Sequence, residues 1–191
     1  MSSFGNFPGP PNPFGDIPPF DHLLTLEVGP LPASTPAFPT LRFNPMNGLY
    51  LFINVTGYGG TDVVSLRFNG DAGANYWDRT ITLPAGTTVF ADTSTTATTL
   101  IRCGKPINKG RAVFAQIVNF AGKPKVVQVL NQFGSGVGAT AAEATLSSAG
   151  EWVNTTDPIN QIDVVTAGGL NILAGSTLVL LGWQRPVPFL P

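Results

Sequence analysis

A single histidine, His22, and a single cysteine, Cys103, leave this 191-residue chain little imidazole or thiol chemistry. His22 stands beside Asp21 in a proline-rich stretch, so a Ser-His-Asp or Cys-His relay would draw its base from a segment without a scaffold. One imidazole cannot build a multi-histidine metal centre. One thiol excludes an internal disulfide and any multi-cysteine site. Cys103 follows the strand-like run Thr99–Arg102 and reads as a structural thiol. Carboxylates remain. Glycoside hydrolysis needs only two of them about 5–10 Å apart, and Asp71, Asp78, Glu143, Glu151 and Asp163 are candidates. Eleven acidic residues on a chain of this length form such pairs by chance. No nucleophile elbow, phosphate-cradling loop or dinucleotide fingerprint occurs. The expectation is a protein that is not an enzyme, with no catalytic residues, no metal and no cofactor.

The most informative run is Leu66-Arg67-Phe68-Asn69-Gly70-Asp71, followed by Asn75-Tyr76. An alternating strand enters Asn-Gly-Asp, a tight-turn signal, because Gly accepts positive φ and Asn and Asp hydrogen-bond their own backbone. The oxygens of Asn69, Asp71 and Asn75 suit calcium in type, but that loop holds one carboxylate. The favoured reading makes Asn69 and Asp71 caps of the turn, with Tyr76 and Trp77 packed beneath it. Arg67 and Arg79 then stand near Asp71 and Asp78 as structural ion-pair candidates. Aromatic rings offer a different chemistry, stacking on sugar faces. Tyr58 in a Gly-rich loop and Trp152 after Ala149-Gly150-Glu151 are the candidates for sugar or partner contact; Trp77 and Trp183 read more as core or subunit seam.

The run Leu66–Asp71 with Asn75-Tyr76 resembles a pattern in structural proteins of tailed bacteriophages. In them a short all-β domain carries this strand end and closes with a Gly-Ser…Leu-Tyr-Gly strand. Here the closing strand is Ala174-Gly175-Ser176-Thr177-Leu178-Val179-Leu180-Leu181-Gly182-Trp183, with Leu181 in place of Tyr. The resemblance spans roughly residues 48–183 and rests on these two motifs. It implies a virion structural protein, made in the host cytoplasm and carried on the particle. Capsid decoration is the leading role: cementing the head by binding over joints between major capsid protein subunits, as a homotrimer. The alternative is a tail or baseplate component, or a carbohydrate-binding receptor module.

Composition bears on partners independently. Charged residues are 11% of the chain, against about 25% in ordinary soluble domains. So little charge protects a monomer poorly against association, so neighbouring copies or partners are expected to cover much of the surface. Net charge is −1 with both signs interspersed, which gives no footprint for nucleic acid or an anionic membrane. Met1–Phe7 has no basic, then apolar, secretory pattern, and no stretch approaches a membrane helix.

The elements that must position these residues are strands. Eleven of 18 prolines lie in the first 45 residues, where they bar a helix or a central strand. Residues 1–45 are therefore read as an extended arm with one short strand at 23–28. Its rings Phe4, Phe7, Phe14 and Phe20 are spaced to dock on a partner. From 46 to 184 about ten short strands alternate with Gly- and Pro-rich turns, and 139–144 is the one short helix candidate. This predicts a jelly-roll-like antiparallel β-sandwich, followed by a Pro-rich tail at 185–191.

Overall fold

The computed structural model describes residues 22–83, 91–104, 107–133 and 144–184. Among them there are twelve strands and no helix. These are β1 (His22–Val28), β2 (Leu41–Arg42), β3 (Gly48–Asp62), β4 (Val64–Phe68), β5 (Tyr76–Leu83), β6 (Ala91–Thr98), β7 (Ile101–Arg102), β8 (Ile107–Val118), β9 (Lys125–Phe133), β10 (Ala144–Trp152), β11 (Gln161–Thr166) and β12 (Thr177–Trp183). They form an antiparallel sandwich of unequal layers. The large sheet runs β1-β12-β3-β8-β9-β10-β5-β6, and the small sheet runs β2-β11-β4-β7.

Side-chain alternation explains the layering. Leu49, Leu51, Ile53 and Val55 of β3 point inward and are buried; Phe52 and Asn54 between them are exposed. Val113, Ala115 and Ile117 of β8, Val127 and Val129 of β9, and Leu178 and Leu180 of β12 continue the same inner face. Val64, Leu66 and Phe68 of β4, with Ile162 and Val164 of β11, meet them from the small sheet. A period of two places one face of each strand in the core.

The expected arm does not extend to residue 45. Residues 22–45 belong to the sandwich: β1 pairs with β12, and Leu31, Phe38 and Leu41 are buried. The prolines permit this because the pairing uses the residues between them. Leu31, Thr35, Phe38 and Phe43 donate to the carbonyls of Ser176, Ile172, Val164 and Asn160, while Pro36 needs only its carbonyl, which accepts from Thr166. The four arm phenylalanines, the 185–191 tail, and all but the last residue of both the expected strand at 87–91 and the helix candidate at 139–144 lie outside the described residues.

Candidate functional site

The Asn-Gly-Asp turn forms, and it does more than join two strands. Asn69 and Gly70 have φ of 52° and 69°, and the Asp71 N–H donates to the Phe68 carbonyl at 2.9 Å. Positive φ at both central residues is the signature of a type I′ turn. β4 and β5 are not hydrogen-bonded partners, however: the turn carries the chain from the small sheet to the large one. Gly70→Val, a branched side chain at positive φ, should destabilise the domain by more than about 1 kcal/mol. Thermal and urea unfolding report it, and parental stability would sink the turn assignment.

Three rings pack beneath this corner. Tyr76 and Trp152 stack at 6.3 Å and 17°, and Phe68 lies tilted against both. The Tyr76 hydroxyl accepts from the Phe68 N–H at 3.0 Å and faces the Asp71 and Phe68 carbonyls at 3.0 and 3.2 Å. Burial pushes its pKa up to about 12, so it stays a neutral donor. Asp71 caps the loop as expected, accepting from Gly73 N–H at 2.8 Å and Asn75 Nδ2 at 3.0 Å. It also accepts from Trp152 Nε1 at 2.7 Å. Burial alone would raise its pKa, but these hydrogen bonds and the Arg67 charge together hold it below the ordinary carboxylate value.

Several sequence expectations change here. Asn69 does not cap its own turn: Nδ2 donates to the Pro158 carbonyl, and Oδ1 accepts from the N–H groups of Asn160 and Gln161. It ties the corner to the 158–161 segment. Trp77 is half-buried on the opposite face of β5; Trp152 takes the place beneath the turn. Trp152 is only 1% exposed because β10 extends through 144–152 where a loop was expected. Tyr58 is 5% exposed, and its hydroxyl accepts from the Val64 N–H at 3.2 Å. Neither ring offers a face to a sugar. Arg102, rather than Arg79, grips Asp78, through Nε at 2.8 Å and Nη2 at 3.0 Å.

The outer face of the large sheet carries several exposed apolar side chains. Val179, Phe52, Phe114 and Leu130 are register neighbours across β12, β3, β8 and β9. Phe52 is 43% and Leu130 48% exposed. Phe114 lies against both Phe52 and Tyr50, with ring centroids at 4.9 and 5.8 Å. Leu181, Tyr50, Gln116 and Gln128 form the next row, and Val118 and exposed Val126 lie beyond it. Trp183 crosses that end of the face over Gly48, where any added Cβ would fall inside the indole. Phe52, Asn54, Ala112, Phe114 and Leu130 border a cleft of about 510 Å³ on this face. Alternation in β3 and β8 marks these outward apolar positions; only their adjacency across four strands needs the fold.

No protein-family model matches the chain, and no curated protein matches it. Among solved structures it is similar to an alginate lyase in complex with an alginate tetrasaccharide, at 10% identity and a TM-score of 0.34. That likeness covers 84% of this chain and 80% of the other. It carries no argument about activity.

Asp163, Asp62, Cys103 and Lys125 sit within the domain, and Glu143 lies outside the described residues. Asp163 accepts from Thr40 Oγ1 at 2.8 Å and from Gln161 Nε2. Asp62, which sequence reasoning missed, is buried and accepts from the N–H groups of Val63, Gly168 and Leu170. Burial pushes the Cys103 thiol up to about 12, against the pull of the Arg111 charge. Lys125, also missed, buries its ammonium among the carbonyls of Phe120, Lys123 and Asn154 at 2.7–3.3 Å. Among the described residues no cluster of three metal-ligating side chains occurs.

Proposed function

We propose that this protein is a non-enzymatic assembly component of a tailed-bacteriophage particle, and that capsid decoration over major capsid protein joints is its role. The observation that carries the association reading is the outer face of the large sheet. Phe52, Val126 and Leu130 are each more than two-fifths exposed there, on a chain with 11% charged residues. Phe52, Phe114 and Leu130 adjoin one another there, and aromatic and aliphatic side chains bordered by polar ones are the composition of protein contact sites. The non-catalytic half is supported by the structural use of Asp71, Asp78 and Asp163, whose carboxylates hold the turn, the link between the sheets and the edge of β11. The likeness of Leu66–Asp71 and Asn75-Tyr76 to phage structural proteins supplies the particle. A homotrimer fits a joint with three-fold symmetry.

The carbohydrate-binding alternative loses its two leading rings, because Tyr58 and Trp152 are buried. The test is localisation by cryo-electron microscopy on intact particles, with rebinding to particles stripped of the protein. Full-length protein is expected over capsid joints, and protein lacking residues 1–21 should bind at least tenfold more weakly with an unchanged melting temperature. Density only on the tail would move the protein to the tail reading, and density nowhere on the particle would overturn the assignment. Equal rebinding by the truncated protein would make the arm dispensable.

A further inference from the structure

We infer that the cleft between Phe52, Ala112, Phe114 and Leu130 receives the phenylalanine-bearing N-terminal segment, residues 1–21, of a second copy of this chain. The inference rests on the self-associating half of the function proposed above and names the surface that performs it. The size of the apolar patch selects the kind of occupant. Its three rows across four strands, with Gln116 and Gln128 in the middle row, cover about 14 Å by 14 Å at ordinary strand spacings, or about 200 Å². A stable face-to-face dimer needs about 800 Å² from each partner. A patch this small suits an extended segment, and the 510 Å³ cleft within it has room for an aromatic ring.

The chain supplies such a segment. Residues 1–21 carry Phe4, Phe7, Phe14 and Phe20, six prolines, and no lysine or arginine. Ala112 is the small residue that opens the cleft beside the rings of Phe52 and Phe114.

The exit point selects a second copy over the same one. β1 begins at His22, opposite Trp183, whereas the cleft lies level with the other end of β1, where Glu27 pairs with Val179 and Val179 with Phe52. The direction of β1 at His22 therefore points away from its own cleft. Pro18 and Pro19 fix φ and hold the residues before them extended. At about 3.1 Å per residue in a polyproline conformation, Phe14 would stand about 25 Å beyond His22. Its own cleft lies about 13 Å back along β1 and two to three strands, roughly 10–14 Å, to the side, so reaching it requires the chain to reverse. A neighbouring copy needs no reversal. Each copy then gives one arm and accepts one, a heterologous contact that forms a closed ring when the rotation closes. The cleft is the socket of an arm exchange.

Two differently tagged full-length chains produced together test this, with benzoylphenylalanine in place of Phe14 in only one. After irradiation, cross-links are expected from position 14 to residues 50–54 or 112–116 of the other chain. Cross-links confined to the same chain, or reaching only other surfaces of the second chain, would overturn the inference. Full-length Ala112→Arg, altered at an exposed position, should melt like the parent and self-associate at least tenfold more weakly by sedimentation. Unchanged association would overturn it as well. Attachment to particles without copy-to-copy cross-links would defeat this inference alone, and cross-links without attachment would defeat the particle assignment alone.

Discussion

Trp152→Ala is expected to cost about 3–5 kcal/mol, the usual range for deleting a buried large aromatic side chain. The ring is 1% exposed, stacks on Tyr76 and touches Phe68. Its indole N–H holds Asp71 at 2.7 Å. Truncation would open a cavity under the corner and also remove a donor from the carboxylate. Against a typical stability of about 5–15 kcal/mol, that loss brings the domain near unfolding. Trp152→Phe keeps most of the packing and loses the hydrogen bond, so its cost should fall to about 1–3 kcal/mol. Urea unfolding at neutral pH separates the two, and a Trp152→Phe variant as stable as the parent would show that the Asp71 contact adds nothing. The contact also carries a pH signature. Because the folded state lowers the Asp71 pKa, its stabilisation is complete above the unfolded-state value. It disappears as pH falls through the lower folded-state value. Asp71→Asn should flatten that part of the acid dependence.

This corner also shows how far the sequence could be read. The Asn69-Gly70 turn was legible because positive φ is a local property of two residues. The strands were legible because alternation in segments such as 49–55 is local too. The partners of the turn were not. Pro158, Asn160 and Gln161 lie about 90 residues beyond Asn69 and meet it only because β11 pairs with β4. Trp152 was misplaced for a related reason. Ala149-Gly150-Glu151 reads as a loop, yet Gly150 sits in a strand because Ile101 packs where a Cβ would stand. The buried ammonium of Lys125 gives no local signal, since its acceptors are backbone carbonyls from two separate loops. Proline density set the boundary of the expected arm too late, since residues 22–45 belong to the sandwich. It records where N–H groups are missing and is silent on where buried Leu31 and Phe38 alternate with them.

Arg102→Met is expected to destabilise the domain by about 3 kcal/mol, near the lower end of the range for stripping the partner from a buried ion. The Asp78 side chain is 1% exposed and that of Arg102 31%. The carboxylate is thus the desolvated member, and the guanidinium stays partly in water. Asp78 accepts from Nε at 2.8 Å, from Nη2 at 3.0 Å and from the Arg102 backbone N–H at 3.1 Å. These bonds join β5 of the large sheet to β7 of the small one, beside the aromatic corner. Methionine would retain much of the stem's packing and remove the charge, leaving a carboxylate in the interior with one donor from this pair. Asp78→Asn in the same background removes the stranded charge and keeps an acceptor for the backbone N–H. The double variant should therefore be more stable than Arg102→Met alone, a reversal that lost packing would not produce. Chemical unfolding of the parent, both single variants and the double variant closes the cycle. If the double variant is the least stable of the four, the pair is not a desolvated ion pair, and the link between the sheets is packing alone.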